Sequence, residues 1–130
     1  MNISFLIAGI LCFILGIVHS ILGELLIFNS KRNPSSIVPS KNSADLNERH
    51  LRIIWATWHL ATFFGWCLGV ILVKISLTQN ELNTEIIRLI THSTIYAMMA
   101  GSILVLTATK GKHPGWIILL IIGTLLIIGN

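Results

Sequence analysis

Four apolar stretches separated by three polar breaks organise the chain, and they predict helices at about 3–28, 51–75, 86–108 and 114–129. A membrane-spanning helix needs roughly 20 apolar residues, so each stretch reads as a span, the last of them short. The first break, about 29–50, opens on turn formers: Asn33, Pro34, Ser35, Ser36, Pro39, Ser40, Asn42 and Ser43. Ala44 to Arg49 then reads as a helical lead-in, with Ser43 as N-cap and Leu46 as an interfacial contact. The second break runs from Ser76 to Asn83, and Thr84 begins the third helix. The third break is only Lys110-Gly111-Lys112-His113, and Pro114 suits the first turn of the fourth helix. The expected fold is all-α, a single-domain integral membrane four-helix bundle.

Helical spacing sorts the residues within each stretch onto faces. Gly9, Cys12, Gly16, His19 with Ser20, and Gly23 fall on one stripe of the first helix, at alternating steps of three and four. Small residues let helices approach closely in lipid, so this stripe predicts a helix contact, with His19 pointing into it. The second helix carries Arg52, Trp55, His59, Thr62, Trp66 and Gly69 on a similar stripe. The third offers Arg88, His92, Tyr96 and Met99, while the fourth is aliphatic apart from Gly123.

Composition fits this picture. Hydrophobic residues make up 54% of the chain and charged ones 11%, against about a quarter charged in soluble domains; mean hydropathy is +0.83. The first stretch lacks a basic leader and a small-residue cleavage site, so it reads as a retained span. The net charge of +4 comes from the breaks: Lys31, Arg32, Lys41, Arg49 and Arg52 in or beside the first, Lys110 and Lys112 in the third. The positive-inside bias then puts the first and third breaks in the cytoplasm and both termini on the extracytoplasmic side. The basic balance is accounted for by topology and by contact with anionic lipid; with no soluble basic domain, nucleic-acid binding is not expected. Cys12 and Cys67 read as two buried free thiols, since buried cysteine behaves as a small hydrophobe.

Candidate chemistry lies in the polar groups inside these stretches. Ionisable residues in hydrocarbon are costly and face a bundle interior or a wet cavity. His19 and His59 each lie roughly 13 Å from the same end of their helices, and Glu24 about 6 Å from it. Two histidines at one depth on neighbouring helices suit a transition metal or a bis-histidine haem b. Histidine with carboxylate favours iron, with zinc or copper as alternatives. On that reading His19, His59, Glu24 and His113 are the ligands, and Arg52 or Lys112 meets haem propionates. His19 and Glu24, five residues apart, differ by about 140° around a helix and do not chelate one ion in a regular helix; Ser20 and Glu24 do share a face. The plainer reading is a polar clasp, with Glu24 paired to Arg52 or Lys112 and His19 bonded to a backbone carbonyl. Trp55, Trp58 and Trp66 read as packing or interfacial tryptophans. His50 reads as a solvated loop-end residue and His92 as a core histidine. No phosphate-binding loop, Cys-x-x-Cys pair or defensible nucleophile triad occurs.

Three strings together resemble a widespread group of small four-span bacterial inner-membrane proteins of unassigned function: His19-Ser-x-Leu-Gly-Glu24, then Arg52 with Trp58-His59-Leu-x-Thr62, then Gly111-Lys-His113-Pro-x-Trp116. The resemblance covers nearly the whole chain. It implies a four-helix bundle in the bacterial inner membrane and picks out His19, Glu24, Arg52, His59 and His113 as the shared polar set; it supplies no activity. The leading expectation is thus a membrane-embedded metal or haem protein for redox chemistry or metal handling. The alternative is a small proton-linked transporter, or an assembly subunit of a larger membrane complex, acting as a homo-oligomer or with partners.

Overall fold

The computed structural model describes residues 1–33, 36–41, 47–78 and 83–130, and all regular structure among them is helical. Helix α1 (Ile3–Leu22) continues into a π-helical segment, Gly23–Phe28, and a 3-10 turn, Asn29–Lys31. Helix α2 spans Glu48–Thr78, α3 spans Thr84–Ala108 and α4 spans Gly115–Gly129. Three helical stretches, Ile3–Lys31, α2 and α3, are long and apolar enough to cross a membrane. Helix α4 has 15 residues, about 22 Å at 1.5 Å per residue, less than the roughly 30 Å of a hydrocarbon core.

The helix ends differ from expectation where local hydrogen bonds decide them. Helix α2 runs on through Ser76, expected in the second break; the buried Ser76 hydroxyl donates to the Asn2 carbonyl at 2.7 Å. At the other end the Asn47 side chain accepts the His50 N–H at 3.0 Å, a cap for an otherwise orphaned donor. The expected cap Ser43 lies outside the described residues, as do Ala44 to Leu46 of the lead-in. Asn83 caps α3 by accepting the N–H groups of Glu85 and Ile86.

The chain divides into two compact units, Met1–Leu15 with Trp66–Asn130, and Gly16–Gly65. In the first, all four helices supply a shared core: Phe5, Ala8 and Cys12; Leu72 and Ile75; Ile87 and Met98; Ile122 and Leu126. Gly9 and Gly69 meet where α1 and α2 cross. A Cβ on Gly9 would sit 2.9 Å from the Gly69 carbonyl oxygen, so any larger residue must push the backbones apart. Both cysteines are free; Cys12 is buried, but Cys67 is exposed, which corrects the expectation of two buried thiols. The α3–α4 turn closes in a Schellman arrangement: Gly111 N–H donates to the Leu106 carbonyl and Lys110 N–H to the Thr107 carbonyl, with Lys110 at φ 51° and Gly111 at φ 75°.

In the second unit the end of α1 packs on the first half of α2. The stripe expected on α1 is the packed one, with Gly16 and Gly23 buried. Large apolar side chains cover the outside instead, among them Ile17, Ile21, Leu25, Leu60, Phe63 and Phe64. An apolar exterior over a polar interior inverts the soluble pattern.

Candidate functional site

The polar site of the second unit is built from two short helical repeats. On α1, Ser20 and Glu24 stand four residues apart and therefore one above the other. On α2, Trp55, His59 and Thr62 recur at steps of four and three. The imidazole of His59 fits between the two α1 groups. Its Nδ1 lies 3.1 Å from Ser20 Oγ, and its Nε2 lies 2.9 Å from Glu24 Oε1. Ser20 Oγ is in turn 3.0 Å from Thr62 Oγ1, and Thr62 is buried. One continuous chain of hydrogen bonds thus runs Thr62–Ser20–His59–Glu24.

The carboxylate is held from three directions. Trp55 Nε1 donates to Oε1 at 2.6 Å, His59 Nε2 lies against the same oxygen, and Arg32 Nη2 donates to Oε2 at 2.5 Å. Charged acceptors give hydrogen bonds about twice as strong as neutral pairs, so an ionised Glu24 suits this environment. Glu24 sits in the π-helical segment, where Asn29 N–H reaches back to the Glu24 carbonyl. Such wide turns recur at functional sites.

His19 takes a different place. Its ring stacks on Trp58 with centroids 4.2 Å apart and planes 6° from parallel, while its carbonyl accepts the Trp58 indole N–H at 3.0 Å. Gly23 makes room for that indole: a Cβ there would lie 2.1 Å from Trp58 Nε1. Phe28, fully buried, meets Trp58 edge-on and closes the apolar side of the cluster.

The structure therefore brings Glu24 and His59 together directly, with His19 beside them on Trp58. Arg52 pairs with Glu48 one turn earlier on its own helix, and the cation on Glu24 is Arg32. Lys112 and His113 belong to the first unit, where Lys112 N–H donates to the Thr109 carbonyl and His113 Nδ1 accepts the Gly115 N–H at 3.0 Å. His50 is exposed, as expected. His92 is exposed too, its Nε2 bonded to the Asn130 side chain, not a core residue. Sequence reasoning missed Arg32, Trp55 and Trp58 as site residues. The two indoles shared the periodicity of His59, and that spacing was the available signal; nothing local marks Arg32.

The donor set does not fit a metal or haem as placed. Among the described residues no three His, Cys, Asp or Glu side chains are grouped to hold an ion. Both ring nitrogens of His59 are engaged, by Ser20 and by Glu24, and a ligand histidine must present a free nitrogen lone pair to the metal. No family model, curated protein or solved structure matches the chain.

Proposed function

We propose that this is a multi-pass membrane protein in which the Thr62–Ser20–His59–Glu24 chain carries protons, as a small proton-linked transporter or a proton-handling subunit of a larger complex. The observation that carries the reading is His59, bonded on one nitrogen to a carboxylate and on the other to a two-hydroxyl chain. With Glu24 ionised and His59 neutral, Nε2–H donates to Glu24, Ser20 donates to Nδ1 and Thr62 donates to Ser20. A proton entering at Thr62 shifts each hydroxyl proton one place along, and Ser20 protonates Nδ1. His59 then passes its Nε2 proton to Glu24 Oε1, which leaves a neutral imidazole and a neutral acid. Rotation of the two hydroxyls resets the chain. Histidine is suited to this because it titrates near neutrality and exchanges protons at both nitrogens.

The apolar exterior and the three long apolar helices support membrane placement. The three strings and the basic breaks support the bacterial inner membrane with both termini extracytoplasmic. That topology requires α4 to cross, with the bilayer thinning locally to match it.

The test is proton flux in proteoliposomes under an imposed pH gradient, followed with an entrapped pH dye. Wild type should dissipate the gradient; His59→Gln, which keeps two hydrogen-bonding ends but does not titrate, and Ser20→Ala should not. Flux unchanged in both variants sinks the relay and leaves the polar set as a structural clasp. Stoichiometric metal in the purified protein, lost on substituting His59, would replace this reading with the metal one.

A further inference from the structure

The segment after α1 gathers cations that the relay does not use. The Lys31 carbonyl accepts N–H groups from both Ser40 and Lys41 at 3.0 Å. That closure sets the backbone of Lys41 against the backbone of Lys31, with Arg32 adjacent. The closed loop is internally braced: Asn33 Nδ2 donates to Ser40 Oγ at 3.1 Å, Ser36 Oγ donates to the Val38 carbonyl at 2.7 Å, and Pro39 is fully buried. Between Lys31 and Lys41 the chain carries no acidic residue. Among the described residues only Arg32 of the three has a carboxylate partner, Glu24. That contact uses Nη2, and a guanidinium has five N–H donors. The cluster also follows directly on a stretch long and apolar enough to cross a membrane, Ile3–Lys31, which puts it at the level where lipid phosphates lie.

Three like charges fixed close together repel unless an anion lies among them. A phosphate group, with several acceptor oxygens, meets lysine and arginine with charge-assisted hydrogen bonds. We propose that Lys31, Arg32 and Lys41 form a binding site for a phosphate group, carried by an anionic lipid headgroup or by free phosphate. The site does not depend on whether Glu24 carries protons.

The experiment uses the full chain in detergent. Retention of phosphatidylglycerol against phosphatidylcholine is read by native mass spectrometry, and inorganic phosphate is titrated calorimetrically in a second arm. The variants are Lys31→Gln with Lys41→Gln, which leave the Arg32–Glu24 pair intact, and Lys110→Gln with Lys112→Gln as a control in the other basic turn. Wild type should hold phosphatidylglycerol preferentially, and the first pair of substitutions should weaken it by about 25-fold, about fivefold per lysine. Should that pair not fold, each single substitution should show the fivefold step. Saturable binding of inorganic phosphate with the same lysine dependence identifies free phosphate as the source; its absence beside lipid retention identifies the headgroup. No preference for either phosphate source over phosphatidylcholine overturns the site. So does an equal loss in the Lys110/Lys112 control, which would make the effect diffuse charge.

Discussion

Glu24 is satisfied by three donors from three parts of the chain, so each donor can be removed separately. Trp55→Phe keeps the ring beside His59 and deletes one hydrogen bond to a charged group. It should cost about 1.5–3 kcal/mol, measured by reversible unfolding in mixed micelles. Gly23→Ala tests the other half of the cluster. Its methyl would collide with the Trp58 indole, and overpacking of this kind costs about 1–3 kcal/mol. If the indole is the obstacle, Gly23→Ala combined with Trp58→Leu should destabilise by less than the sum of the two single changes. Strict additivity would show that the glycine is needed for another reason. At this scale the sequence gave partial sight of the site. His59, Glu24, Ser20 and Thr62 were found through spacing and the cost of polar groups in hydrocarbon. Arg32 was invisible because its approach to Glu24 depends on where the chain goes after α1, which periodicity does not report. Trp55 and Trp58 were visible as positions but not as donors, since an indole packs and donates from the same face of a helix.

At the scale of elements, the helix junctions carry the clearest consequences. Lys110 occupies the left-handed position of the α3–α4 turn at φ 51°, a place that favours glycine because a Cβ costs energy there. Lys110→Gly should stabilise the protein by about 0.5–1 kcal/mol, seen as a higher unfolding midpoint; a lower midpoint would mean that the lysine side chain contributes more than its backbone strain removes. The crossing of Gly9 and Gly69 behaves oppositely, because the atoms in the way are backbone and cannot yield. Helix placement was legible: 51–75 became Glu48–Thr78, and 86–108 became Thr84–Ala108. What hydrophobic pattern could not give was helix geometry. The α1 stretch expected to end at 28 is α-helical only to Leu22 and π-helical beyond, because the change depends on Glu24 and Phe28 finding partners on α2, not on the apolar character of the residues.

For the whole molecule, the two cysteines report how the chain is solvated. Cys67 is exposed, midway along α2, and Cys12 is buried in the core of the first unit. In membranes, a lipid-soluble maleimide should label Cys67 and spare Cys12, while a charged, water-soluble maleimide should label neither. Rapid labelling of Cys67 by the charged reagent would place that part of α2 in water and would count against a membrane-spanning α2.

The π-helical segment also makes the site sensitive to chain length. A π turn takes up one residue more than an α turn over the same path. Removing one outward-facing residue there, such as Leu26, lets the backbone run on as regular α-helix. Everything after the deletion is then turned by about 100° around the axis, while Ser20 and Glu24, which precede it, stay opposite His59. Arg32 would be carried off to another side and its ion pair with Glu24 lost, with the composition of the stretch almost unchanged. Natural variants of this chain that differ in length between Glu24 and Arg32 would therefore differ in the charge environment of the carboxylate even where every polar residue is kept.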